Sequence, residues 1–279
     1  MMNAKIKAVA LLLFTTLWTG TLLAQGGRAS GPGADLIRQG IRLDLDGQYA
    51  EARQLFTRAI DAAETPQAKA PGVRAMAMSF AFESNCAAAT PYSTRLYEMY
   101  LTDKDFYNAG EMANELARVC IEAGAFDVAE KWYRLGREAG LKEPDISAAR
   151  RDLWEFRTEH ALARLAIRRG DKSAAQRHVQ TAKAILDRGT NPDQEVFFPY
   201  LTGYVALYGG DYGTALDELR RANQRDPFIL CLMGQAYEKL GEATNAKDAY
   251  TRALASATAH NPPTAYARPY ATKRLAELK

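Results

Sequence analysis

Five times along this chain the same order of small and large apolar positions is laid out from a glycine. The first run is Gly47, Tyr49, Ala52, Phe56 and Ala59, and the second is Gly124, Phe126, Ala129, Tyr133 and Gly136. Gly170, Lys172, Ala175, Val179 and Ala182 follow, then Gly210, Tyr212, Ala215, Leu219 and Ala222, and finally Gly241, Ala243, Ala246, Tyr250 and Ala253. Seven positions ahead of each glycine stands another small residue: Gly40, Ala117, Ala163, Gly203 and Gly234. Steps of three and four between apolar positions belong to one face of a helix, and a glycine between two such stretches belongs to a turn. The pattern therefore predicts pairs of antiparallel helices that approach closely where side chains are small, with the large residue filling the space beyond. No run of alternating apolar and polar residues is flanked by turn signals, so strands are not expected.

The predicted first pair covers residues 34–46 and 49–63, closed by Thr65 and Pro66. The second lacks the glycine turn: a helix over 70–88 is followed by Thr90 as cap and by Pro91 at the first position of a helix to 102. A third pair runs over 105–123 and 126–139, with Asp105 as its cap. One long helix over 147–169 then precedes a return helix at 174–187, and two more pairs cover 195–208 with 212–224 and 228–240 with 243–257. Asn261, Pro262 and Pro263 end the last pair. The tail to Lys279, with Tyr266, Tyr270, Leu275 and Leu278, reads as an amphipathic helix covering the exposed apolar side of that pair.

The order of large and small residues resembles the tetratricopeptide repeat (TPR) over roughly residues 34 to 258. The resemblance implies an all-α fold, a right-handed α-solenoid of TPR-like helix–turn–helix pairs with a C-terminal capping helix. It also implies a role in holding a protein or peptide partner rather than in catalysis. The chain departs from the family's pattern in places. No unit has the family's tryptophan, Pro227 alone stands where a closing proline is expected, and Lys172 and Ala243 replace the aromatic after the turn.

Lys5 and Lys7, an apolar run from Ala8 to Trp18 and a short segment ending at Ala24 follow the order of a secretory signal peptide. The expected organisation is a signal at 1–24, a flexible glycine-rich tether at 25–33 and the solenoid at 34–279, in a periplasmic or secreted protein. The alternative is an uncleaved membrane anchor, the one circumstance in which membrane contact is expected. With 36 basic and 33 acidic side chains, two of the former in the signal, the charge is nearly balanced and no nucleic-acid partner is expected. Cys86, Cys120 and Cys231 leave an odd thiol in an oxidising compartment. They read either as three small hydrophobes within helices or as a Cys86–Cys120 bridge between neighbouring helices with Cys231 free.

No metal-binding, nucleophile-elbow or phosphate-loop motif occurs, and His160, His178 and His260 do not fall at constrained spacings. No catalytic residue, metal or cofactor is therefore expected, and acidic pairs such as Asp44 with Asp46 read as solvent-facing charge. The candidate site is the concave face. In the first helix of each pair, residues four apart share one face, which by the resemblance points inward. It presents Asn114, Arg118 and Glu122, then His160, Arg164 and Arg168, then Tyr200, Tyr204 and Tyr208, and lastly Cys231, Gln235 and Lys239. Such a basic and aromatic groove suits an extended peptide or anionic segment. The competing reading is packing between helices. On the groove reading, alanine at both Tyr204 and Arg164 weakens partner capture and leaves the fold intact; unfolding marks the stripe as core.

Overall fold

The computed structural model describes residues 32–278, which form thirteen α-helices and one short 3-10 helix, with no strand among the described residues. The signal segment 1–24 and most of the tether lie outside the described residues, and the first helix already begins at Pro32. The helices are α1 (Pro32–Leu45), α2 (Tyr49–Asp61), α3 (Pro66–Phe82), α4 (Cys86–Thr102), α5 (Phe106–Glu122), α6 (Phe126–Gly140) and α7 (Ala148–Arg168). They continue as α8 (Lys172–Leu186), the 3-10 helix Pro192–Phe197, α9 (Phe198–Gly209), α10 (Tyr212–Arg221), α11 (Pro227–Lys239), α12 (Ala243–Ser256) and α13 (Pro262–Glu277). Six helix pairs, α1/α2 through α11/α12, stack into the expected all-α solenoid, and α13 follows. Among the described residues no helix is long and apolar enough to cross a membrane.

The repeat register has a direct packing basis. A Cβ on Gly40 would lie 2.4 Å from the Phe56 ring, one on Gly234 2.4 Å from Tyr250, and one on Gly203 2.7 Å from Leu219. The large residue of the second helix thus sits on the small residue of the first, rather than beyond the point of closest approach. Ala52, Ala129, Ala175, Ala215 and Ala246 are fully buried at the same crossings.

The second pair departs from expectation. Its turn is at Ser84, whose φ of 55° is the left-handed conformation that Gly124 adopts at 79° in the next pair. Asn85 caps α4 by accepting from the Ala88 N–H at 3.0 Å, so Pro91 lies inside α4 instead of opening it. The proline removes one donor to the helix, and the Ala87 carbonyl it would have met belongs to an exposed residue. Thr65 likewise opens α3, accepting from the Ala68 N–H at 3.1 Å with Pro66 next, and does not merely close the first pair. Asp105 and Ser147 cap α5 and α7 by the same chemistry.

Cys86 at the start of α4 is bonded to Cys120 in α5, and Cys231 is free and buried in α11. Of the two readings of the cysteines, the bridge is the one realised.

The C-terminal helix does more than cover the end of the array. It packs on α11 and α12 and also on α3 and α5, the inner helices of the second and third pairs. Ala265, Ala267 and Ala271 are buried along it. The loop before it returns to the first two pairs, where the His260 ring stacks on Phe82 of α3 and its Nε2 lies 2.8 Å from Asp44 Oδ2 of α1. Ser79 Oγ donates to the other carboxylate oxygen at 2.8 Å. Asp44 is therefore a buried acid with two partners, 1% exposed, and not a solvent-facing one. α3 and the returning tail together bring it under cover.

Candidate concave groove

The inner face is assembled from α5, α7, α9 and α11, with α13 packed on its α5 and α11 sides. Arg164 sits at the centre, 5% exposed. It donates to the hydroxyls of Tyr133 (2.9 Å) and Tyr200 (3.1 Å), and its guanidinium lies within 5.8 Å of the rings of Tyr133, Tyr200 and Tyr204. Among the described residues no carboxylate pairs with it. Arginine remains charged at any accessible pH, so these hydroxyls and π faces replace the water it has lost.

One helical turn on, Arg168 donates to Glu122 Oε2 and to the Tyr204 hydroxyl, both at 2.9 Å, and stacks 4.6 Å from the centre of the Tyr208 ring. Tyr204 is fully buried, and its hydroxyl donates in turn to Glu122 Oε1 at 3.1 Å. Burial, with Glu122 next in weight, pushes the Tyr204 phenol far above the ordinary tyrosine range, so it stays a neutral donor. Tyr208 is half-buried and raised for the same two reasons.

His160 is buried between Phe156 and Tyr200, and its Nε2 is without a hydrogen-bond partner among the described residues. Burial first, then the nearby charges of Arg164 and Arg118, hold its imidazole well below the usual histidine range. In the unfolded chain the same ring takes a proton near its ordinary value of about 6.5. Below that pH the unfolded state binds more protons, so this group removes stability as acid is added. The melting temperature of a His160→Phe variant is expected to fall less than that of the parent between about pH 7 and pH 5. Parallel curves would show that the ring is not held neutral.

The other candidate residues are placed unevenly. Arg118 packs over Phe228 at 5.3 Å and lies 3.8 Å from Asp226, with its Nε unpartnered. Gln235 donates to the Tyr266 hydroxyl of α13 at 3.1 Å. Asn114 instead stands at the α5–α6 crossing, its amide oxygen over Gly136. Lys239 is exposed at the end of α11. Tyr133, Phe228, Tyr266 and Glu238 complete the face but escaped the four-residue stripe, because they lie on second helices, at other register positions or on α13. Glu155 and Glu159, also on α7, pair with Arg137 and His178 and not with Arg164 or Arg168.

The groove is thus lined by the expected aromatic and basic side chains, and much of it is already filled. Tyr266 meets Phe228 edge-on with ring centres 4.8 Å apart and stacks on Tyr270 at 5.2 Å, and Arg274 forks onto Glu238, donating from Nε at 3.0 Å. Among the described residues no cluster of three or more His, Cys, Asp or Glu side chains is placed to hold a metal.

These features define a helix-pair solenoid whose inner face holds a helix. Residues 229–260, covering most of α11 and all of α12, match the model of the tetratricopeptide repeat. No curated protein matches the sequence. Among solved structures, a chain in the crystal structure of the APC/C hetero-tetramer Cut9–Hcn1 is similar at 16% identity and a TM-score of 0.42. The match covers 88% of this chain and 42% of that one, so this chain spans less than half of its length.

Proposed function

We propose that this protein is an exported, non-enzymatic scaffold that holds protein partners through its helix-pair array. The observation that carries the reading is the inner face itself, where Phe228, Gln235 and Glu238 of α11 hold the tyrosine and arginine side chains of a helix laid against them. Aromatic rings give large contact area for little lost rotamer freedom, and arginine adds directional hydrogen bonds. Repeat architectures use such faces for recognition, and the repeat match at 229–260 agrees with that use. Replacing exposed Val196, near the start of α9, or Lys239 by a photo-crosslinking residue in the native host should trap discrete protein adducts. Failure to trap any protein from these or further surface positions would defeat the scaffold reading.

Export is supported by the order of residues 1–24 and by the Cys86–Cys120 bond, since such bonds persist in oxidising compartments. The mature chain is expected to begin near Gln25, and recovery of the full-length protein in an integral membrane fraction would favour the anchored alternative. The bond closes a loop across a sequence separation of 34, for which chain entropy gives about 3–4 kcal/mol of stabilisation. Reduction is accordingly expected to lower the melting temperature by several degrees, and an unchanged value would show the thiols unlinked in the isolated protein.

A further inference from the structure

The connection from α8 to α9, residues 187–197, is the longest between consecutive helices, and it contains the 3-10 helix Pro192–Phe197. Its first half is fastened to the start of α7. Arg188 and Thr190 donate to the two carboxylate oxygens of Asp152 at 2.6 and 2.7 Å, and Asn191 Nδ2 donates to the Ala149 carbonyl at 2.6 Å. Its far end is anchored by Phe198, which packs against the buried cluster of Phe156, Val179 and Leu186. Between these fixed points Val196 and Phe197 are 59% and 44% exposed, and among the described residues they alone are adjacent large apolar side chains left in solvent. Single exposed apolar side chains are ordinary, whereas an apolar patch with a polar rim marks a surface that binds. The rim here is acidic. Residues three apart in a 3-10 helix lie above one another, so Asp193 stands in line with Val196, and Glu195 comes directly before it. The ion pairs of this connection are Asp187 with Lys183 and Arg188 with Asp152. Asp193 and Glu195 are exposed and, among the described residues, take part in none. Helix α13 packs on α3, α5, α11 and α12 and leaves this approach to α9 uncovered.

We propose that Val196 and Phe197 are the docking point for a protein segment that carries apolar side chains among basic ones. The inference rests on the scaffold reading and adds to it where the partner sits and what chemistry it has. The valine and the phenylalanine ring form the apolar centre of the contact, and Asp193 and Glu195 form its rim. Carboxylates without a partner in this chain are met by lysine or arginine from another, which speeds encounter and selects against acidic partners. The same charges oppose two other occupants. In a two-fold contact with a second copy the identical patch would set carboxylate against carboxylate, and an anionic lipid surface would be repelled. Because the connection is pinned at both ends, a partner that covers it meets a surface already ordered.

The test uses the full chain and a library of random short peptides displayed on phage. Selection on the parent is expected to enrich sequences with lysine or arginine beside leucine, phenylalanine or tryptophan. A labelled copy of an enriched peptide should bind at least tenfold more weakly when Val196→Ser and Phe197→Ser are combined. Asp193→Asn with Glu195→Gln should weaken it at least threefold, and should also flatten the loss of binding that added salt causes in the parent. All four side chains are exposed, so both variants should melt with the parent. A melting temperature lower by several degrees would place these side chains in the packing and overturn the proposal. Enrichment of acidic sequences overturns it, as does a selection whose peptides bind the doubly serine-substituted chain as tightly as the parent. Sedimentation that shows a dimer in the parent and none in that variant would make a second copy the occupant and overturn it too. Protein adducts trapped at Lys239 and none at Val196 would sink this inference and leave the scaffold reading standing.

Discussion

A chain with alanine at both Arg164 and Tyr204 is expected to lose most of its folding stability, reversing the outcome that an open groove would give. Tyr204 is fully buried, with Tyr208 at 4.6 Å, Tyr200 at 6.1 Å and Phe228 at 6.4 Å between ring centres. Truncating a buried aromatic to alanine costs about 3–5 kcal/mol. The loss of its hydroxyl also takes a partner from Arg168 and from Glu122. Removing Arg164 leaves the hydroxyls of Tyr133 and Tyr200 without their charged donor, at about 1–3 kcal/mol for each group left unsatisfied. Set against a typical total of about 5–15 kcal/mol, the double change is close to unfolding. Urea denaturation of the parent, the two single variants and the double variant measures it. Arg164→Met, which keeps volume and gives up the charge, separates packing from polar terms and should cost less than Arg164→Ala. A double variant with the parent's midpoint would mean that these side chains lie at a surface.

The reason for the reversal lies in what local spacing encodes. The four-residue stripe correctly picks out helix faces that look inward, because it depends only on helical geometry. Whether an inward face meets water depends on what other helices lie over it: Tyr133 of α6 and Phe228 of α11 close over Arg164 and Tyr204, and the chain's last helix closes over α3, α5 and α11. That last closure is fixed by contacts such as His260 with Asp44, separated by 216 positions. Neither residue carries a local sign of the other, so Asp44 reads as surface charge and His260 as a lone histidine. The turn at Ser84 was closer to legible. Ala77 and Ala89 stand at the offsets that small residues occupy in the other pairs, but serine replaces the glycine and Pro91 supplies a competing helix start. The Cys86–Cys120 bond was legible as a possibility, since α4 and α5 are sequential neighbours. Its formation depends on facing positions that helix registers do not fix.

The largest effect from a single packing site is expected where α7 docks on the third pair. Trp154 is fully buried, and the space for its indole exists because two helices present glycine to it. A Cβ on Gly140 would stand 2.0 Å from the indole Cε2, and one on Gly110 2.5 Å from its far edge. With glycine on both sides the ring has no direction in which to retreat. The indole N–H also donates to Glu143 at 3.2 Å, holding the start of α7 against the loop after α6. Trp154→Ala is therefore expected to cost about 3–5 kcal/mol. Gly140→Ala should cost about 1–3 kcal/mol by overpacking, less the roughly 1 kcal/mol by which alanine favours a helix. The decisive quantity is the double variant. With the indole gone, the added methyl group occupies part of the void, so the combined loss should be smaller than the sum by about 0.5–3 kcal/mol. Denaturant midpoints of the four proteins give this coupling directly. Additive costs would mean that Trp154 moves aside when Gly140 is enlarged, and that the docking of α7 rests on other contacts.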